Sequence, residues 1–179
     1  AYFTGFGRNK RIVFFDTLVA SLDHDEMEAV LAHELGHYKH RHVLKQLALG
    51  MIATLLGLAL LGWLAGQHWF YQALGVTLPS NAAALLLFLL VSPVFTQFLQ
   101  PLHALISRRH EFEADNFARE QSGPEPLIRA LVKLYRDNAS TLTPDPLYSA
   151  FHDSHPPAPL RVARLSCKTG TEPRSTLAQ

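Results

Sequence analysis

Hydrophobic and polar positions divide the chain into three stretches. Residues 1–45 alternate aromatic, charged and histidine-rich segments, residues 46–107 contain no Asp, Glu, Lys or Arg, and residues 108–179 are polar again. In the first stretch, residues 2–6 and 11–15 are rich in aromatic and β-branched side chains. They flank Gly7, Arg8, Asn9 and Lys10, which predicts a β-hairpin. Residues 21–42 predict a helix. Asp23 followed by Glu26 has the capping-box spacing, Met27, Val30, Leu31 and Leu35 recur at helical intervals, and Lys39 and Arg41 complement the dipole of the last turn.

Residues 47–66 form an uncharged run long enough to cross a bilayer as a helix, with Gly50, Gly57 and Gly62 leaving room for close helix contacts. Residues 67–81 carry Trp- and Tyr-rich patches of interfacial character and end in the turn Pro79-Ser80-Asn81. Residues 82–106 form a second run of spanning length, kinked at Pro93 and Pro101. Two spans make a hairpin and return both polar parts to one side. Lys39, Arg41, Lys45, Arg108 and Arg109 flank the spans there, so the positive-inside rule predicts that this side is cytoplasmic.

Beyond the spans, residues 107–121 predict a helix that Gly123 and Pro124 break. Residues 126–138 predict an amphipathic helix with Leu127, Ala130, Leu131 and Leu134 on one face. Residues 139–160, rich in Pro, Ser, Asp and His, read as loop with short helical turns. Residues 160–166 read as a last short helix, and the tail from Lys168 as disordered.

Composition agrees with a membrane protein. Charged residues are 17% of the chain, below the roughly 25% of a soluble domain, and hydrophobic residues are 48%. A net charge of +1 gives no footing for a nucleic-acid partner. The lone cysteine, Cys167, excludes an intramolecular disulfide and a cysteine metal cluster. The ten histidines therefore supply any metal site together with carboxylates. The opening residues carry no secretory signal and no initiator Met, so the chain reads as part of a longer polypeptide.

His33-Glu34-Leu35-Gly36-His37 is an H-E-x-x-H motif on the first predicted helix. Histidines four apart project from one face and can reach one zinc ion, and Glu34 is placed to take a proton from a water that the ion acidifies. A catalytic zinc needs a third protein ligand and an open position. The helix over residues 107–121 offers Glu111, Glu113 and Asp115. Glu111 and Asp115 share a face, so one can bind the ion while the other accepts a hydrogen bond from a ligand imidazole, and Glu113 points elsewhere, as a substitute ligand. His40 and His42 read as solvated helix-end residues. His68 and His103 read as interfacial or packed against neighbouring helices.

The blocks AYFTGFGRNKRIVFFDTL, HELGHYKHRH, SRRHEFEAD and DPLYSAFHDSHPP, in this order around an uncharged hairpin, resemble the CAAX prenyl protease type I family. That family consists of integral-membrane zinc metalloendopeptidases related to the HtpX-like proteases. The resemblance covers residues 1 to about 165. It implies one zinc ion held by His33, His37 and Glu111, with Glu34 as general base and Asp115 behind the ligands. It also implies that His155 stabilises an oxyanion, that Arg161 pairs with Asp115 or a substrate carboxylate, and that the opening strand holds the substrate backbone. The family carries further membrane helices before that strand.

The expected fold is mainly α: a membrane helix hairpin and zincin-like catalytic helices, with a small N-terminal β-hairpin. Residues 1–179 form one catalytic metallopeptidase domain in this reading. Residues 1–45 hold the β-hairpin and H-E-x-x-H helix, residues 46–106 the membrane hairpin, and residues 107–166 the third-ligand helix and C-terminal catalytic part, with a tail over 167–179. The expected partners are a peptide or protein substrate, prenylated or membrane-embedded, and a lipid bilayer. The short polar C-terminus suggests a bacterial inner membrane. The rival functions are HtpX-like quality control of membrane proteins and a non-catalytic zinc-stabilised scaffold. Glu34, which a structural zinc site does not need, argues against the scaffold.

Overall fold

The computed structural model describes residues 2–6, 9–137, 145–153 and 155–167. Two strands, β1 (Tyr2–Phe6) and β2 (Asn9–Val13), pair antiparallel with Thr4 opposite Arg11. The second strand ends earlier than the sequence predicts: Phe14 and Phe15 lie outside it, and the chain enters a short helix α1 (Asp16–Ser21). Aromatic content suits a strand here, but Leu18 and Leu22 bury together at helical spacing and Phe14 packs against them, so tertiary burial overrides propensity.

The chain divides into two units, residues 1–42 with 103–179, and residues 43–102. In the first unit α2 (His24–Lys39) starts at the predicted cap, where the Asp23 N–H donates to Glu26 Oε2 at 2.9 Å. The helix ends three residues before the predicted boundary. Arg41, at φ 56°, takes the left-handed conformation and turns the chain, and His42 opens the next helix. The buried face of α2 is Glu26, Ala29, Val30, Ala32 and Gly36; Leu35, expected in the apolar stripe, is exposed. Small residues there let the neighbouring helices come close.

Those neighbours are α6 (Gln100–Ser122), α7 (Pro124–Asp137) and α9 (Ala158–Cys167). Ala29 and Ala32 of α2, Ala118 of α6, Leu127 and Leu131 of α7 and Leu165 of α9 form one core. The predicted apolar face of α7 is thus the face that buries, with Ala130 in a second cluster beside Leu18, Leu22 and Val30. A short helix α8 (Pro146–His152) lies in the stretch read as loop with helical turns, capped by Asp145 accepting from the Leu147 and Tyr148 N–H groups. The predicted tail beyond Cys167 lies outside the described residues, and Cys167 itself belongs to α9.

The second unit holds α3 (His42–Ala65) from its second residue on, α4 (His68–Ala73) and α5 (Asn81–Gln97). Phe70, Tyr71 and Ala84 form its core, with Leu61 and Leu64 of α3 and Leu87 of α5 against it. The Tyr71 hydroxyl donates to the Ala65 carbonyl at 2.9 Å, which ties α4 back to the end of α3. Among the described helices α3 alone is long and apolar enough to cross a membrane, and its apolar window is not buried at all. A core helix of a soluble protein would bury that face. The second predicted span is not one straight helix. It comprises α5 and the start of α6, bent by 56° at a break over residues 98–99. Pro101, in the first turn of α6, cannot donate the N–H that a continuous helix would use.

Candidate metal centre

His33 and His37 lie one turn apart on α2, and their Nε2 atoms stand 3.2 Å from each other. Atoms this close across two imidazoles converge on a common point. From α6, Glu111 directs Oε1 to His37 Nε2 at 3.3 Å and Oε2 to His33 Nε2 at 3.7 Å. One ligand atom from each of the three residues lies within 4.8 Å of the others. Glu111 is buried and the two histidines are half-buried, so the carboxylate anchors the site and the imidazoles form its rim.

What lies behind the ligands fixes their orientation. His33 Nδ1 faces Asp115 Oδ1 at 3.0 Å, which leaves its Nε2 lone pair for a metal. Asp115, one turn beyond Glu111, is buried. It accepts from Arg161 Nε at 2.8 Å and from Arg161 Nη2 in a two-pronged pair. Burial pushes the Arg161 guanidinium toward its neutral form, but the Asp115 and Glu111 carboxylates outweigh this and hold it above its usual range. Arg161 Nη1 also stands 3.5 Å from Glu111 Oε2. Arg161 therefore pairs with Asp115, one of its two expected partners.

His155, on the segment between α8 and α9, brings Nδ1 within 3.1 Å of Glu111 Oε2. Its side chain is 69% exposed, which puts it at the open side of the centre. The Glu111 carboxylate raises the His155 imidazole above its usual value. Glu34 is half-buried on α2, close enough for its charge to act on His155 in the same direction. All seven residues singled out from the sequence, His33, Glu34, His37, Glu111, Asp115, His155 and Arg161, therefore gather in the first unit.

Further residues join them. His42 was expected at a solvated helix end, yet it is only 2% exposed. Its Nδ1 meets His37 Nδ1 at 2.9 Å and its Nε2 meets Glu113 Oε2 at 2.9 Å. His110 stacks on it at 4.1 Å and His40 at 5.5 Å. The reversal at Arg41 folds His42 beneath the candidate ligands, a turn that no residue pattern announces. The one available signal was the density of histidines in HELGHYKHRH. His68 and His103 are exposed.

Two imidazole nitrogens and a carboxylate converging at this distance, with both imidazoles backed by further partners, fit a divalent metal held by three protein ligands. The donor set is borderline to hard and lacks thiolate, which suits zinc and its neighbours.

A family model described as Peptidase family M48 matches residues 1–169. The chain is similar to CAAX prenyl protease 1 of Saccharomyces cerevisiae, 37% identical over 92% of this chain and 40% of that protein. It is similar to CAAX prenyl protease 1 homologs of Dictyostelium discoideum, 38% identical over 87% of this chain and 37% of the relative, and of Homo sapiens, 30% identical over 92% and 43%. Its structure resembles the crystal structure of S. mikatae Ste24p, with a TM-score of 0.77 at 37% identity, over 92% of this chain and 41% of that one. The chain thus spans about two-fifths of the length of these relatives.

Proposed function

Because the chain belongs to peptidase family M48, we propose that it is the catalytic part of an integral-membrane zinc endopeptidase of the CAAX prenyl protease type. The observation that carries this reading is the convergence of His33 Nε2, His37 Nε2 and Glu111 on one point, from an H-E-x-x-H helix and a second helix.

Zinc, when bound, supplies a Lewis acid that polarises a scissile carbonyl and acidifies a water. Glu34, beside the two histidines, accepts the proton of that water and delivers it to the leaving amine. His155 donates an N–H to the oxyanion as it develops, and its exposure leaves it open to substrate. Asp115 holds His33 in the tautomer that leaves Nε2 free, and Arg161 holds Asp115. Among the described residues β1 pairs with β2 along one edge, and a substrate backbone would add as a strand along the other.

In this reading α3, α5 and the start of α6 contact the lipid bilayer, and both polar parts face the cytoplasm. The apolar, unburied surface of α3 and the basic residues flanking the uncharged run support it.

The test is chelator-sensitive cleavage, in detergent, of one peptide with and without a C-terminal prenyl cysteine, with Glu34→Gln as the blank. Cleavage of the prenylated form alone is the expected result. Equal cleavage of both moves the assignment to a general membrane protease. Zinc binding without cleavage of either overturns the catalytic reading for this chain.

A further inference from the structure

We propose that His42 is a positioning residue that sets the tautomer of His37, and that Glu113 anchors it. The inference rests on the metal-centre reading above. His37 directs Nε2 at Glu111 and His33, so its Nδ1 must carry the proton if Nε2 is to offer a lone pair to a metal. That Nδ1 stands 2.9 Å from His42 Nδ1, and His42 Nε2 stands 2.9 Å from Glu113 Oε2.

With His37 Nε2 kept free for a metal, only one proton arrangement satisfies all three groups. Glu113, as a carboxylate, only accepts, so His42 Nε2 donates to it. His42 Nδ1 is then the acceptor, and His37 Nδ1–H donates to it. If His42 carried its proton on Nδ1 instead, its Nε2 lone pair would face a carboxylate oxygen at hydrogen-bond distance. His37 Nδ1 would become an acceptor, and its proton would move to Nε2, between the nitrogen and the metal. A doubly protonated His42 forces the same wrong tautomer on His37.

The geometry favours a fixed relay. His42 is 2% exposed, so water does not replace either partner. His110 stacks nearly parallel on its ring, 12° between planes, which holds the ring plane. Both zinc histidines then have a carboxylate of α6 behind them: Asp115 directly behind His33, and Glu113 through His42 behind His37. This assigns a purpose to Glu113, which shares no face with Glu111 and Asp115. The competing use of the same residues is a second metal site of His40, His42 and Glu113, whose ligand atoms also lie within 4.8 Å of one another. A metal there would take the His42 nitrogen that already serves His37 or Glu113.

The experiment measures zinc affinity and stoichiometry by chelator competition on the full chain in detergent, with cobalt(II) spectra as a second probe and thermal unfolding of the metal-free form as the folding control. The relay predicts one zinc per chain. Zinc affinity should fall about 10–100-fold in His42→Phe and in Glu113→Leu. Glu113→Gln, whose amide oxygen still accepts from His42, should stay closer to the native value, and His40→Ala should match it. If His42→Phe fails to fold, Glu113→Leu decides alone, because Glu113 is 46% exposed and outside the core. Native affinity in Glu113→Leu overturns the relay, as does a second zinc equivalent that His40→Ala removes. His33→Ala separates the two levels of the argument. Tight zinc in that variant means the metal-centre reading has failed. Loss of zinc there, with Glu113→Leu unaffected, means only the relay has failed.

Discussion

Gly36 of α2 lies against Ala114 of α6 so closely that a Cβ on Gly36 would stand 2.9 Å from the Ala114 Cα and 3.1 Å from its carbonyl oxygen. Each residue sits among its helix's candidate site residues: Gly36 between His33 and His37, Ala114 between Glu111 and Asp115. The contact sets the distance across which the carboxylates reach the imidazoles. Gly36, the second of the two variable positions in H-E-x-x-H, is here constrained by packing against α6.

Gly36→Ala should therefore damage the metal centre more than it damages the fold. Helix propensity favours alanine by about 1 kcal/mol, while overpacking against backbone costs about 1–3 kcal/mol. The net change in thermal stability of the metal-free chain should be small. Zinc affinity should drop by at least tenfold, because α6 must move away from His33 and His37. Chelator competition checks this, and unchanged affinity would show that the close approach does not set the site.

The pattern of the chain announces some of this and not the rest. Histidines four apart, a cap at Asp23 and an α6 sequence with carboxylates at helical spacing lead to the ligands directly, because each is a local signal. The amphipathic face of α7 is legible for the same reason. The end of α2 is not, since a left-handed Arg41 has no sequence signature, and with it the burial of His42 is hidden. The kink predicted at Pro101 corresponds to the break between α5 and α6, whereas α5 runs through Pro93, because an uncharged run with two prolines does not say at which of them the helix ends. The contacts of His155 and Arg161 with Glu111 and Asp115 depend on pairings across more than forty residues, which only family resemblance supplied.

Glu34→Gln should retain zinc and lower the cleavage rate by about 10²–10⁴-fold, the range that a positioned base contributes. His155→Ala should likewise retain zinc and lose about 10²–10³-fold in kcat with a smaller change in KM. Steady-state kinetics alongside metal analysis separate the two effects. A native rate in His155→Ala would remove His155 from the reaction and leave it as a contact of Glu111 alone.

Asp115 and Arg161 form a buried pair, so breaking it from one side leaves an uncompensated charge. Arg161→Met should destabilise the first unit by about 3–5 kcal/mol, and Asp115→Leu by a comparable amount. Asp115→Leu should in addition weaken zinc about 10–100-fold, because His33 loses the acceptor that fixes its tautomer. The double variant Asp115→Leu with Arg161→Met should recover stability relative to either single change without recovering zinc affinity. Denaturant unfolding and chelator competition on the same four proteins test both statements. Recovery of zinc affinity in the double variant would mean that Asp115 acts only through folding.

Glu26 gives the first unit a pH dependence that is independent of the metal. Its carboxylate is fully buried, accepts from the Asp23 N–H, and meets Lys133 Nζ at 2.7 Å, with Arg129 Nε at 3.5 Å. Burial pushes its pKa up, but the Lys133 hydrogen bond and the Asp23 N–H outweigh it and hold the carboxyl below the usual glutamate range. A depressed carboxyl pKa stabilises the folded state fully above the unfolded value of about 4.3, and that contribution is lost as pH falls through the folded value. Lys133 acts with the opposite sign: its raised pKa contributes below the usual lysine value of about 10.4 and is lost as pH rises past it. Stability from this pair is therefore flat across neutral pH and falls at both extremes. Glu26→Gln should unfold at lower temperature at pH 7 and show a shallower decline between about pH 5 and 3 than the native chain. Parallel acid limbs in metal-free thermal melts of the two proteins would mean that carboxylates other than Glu26 govern acid unfolding.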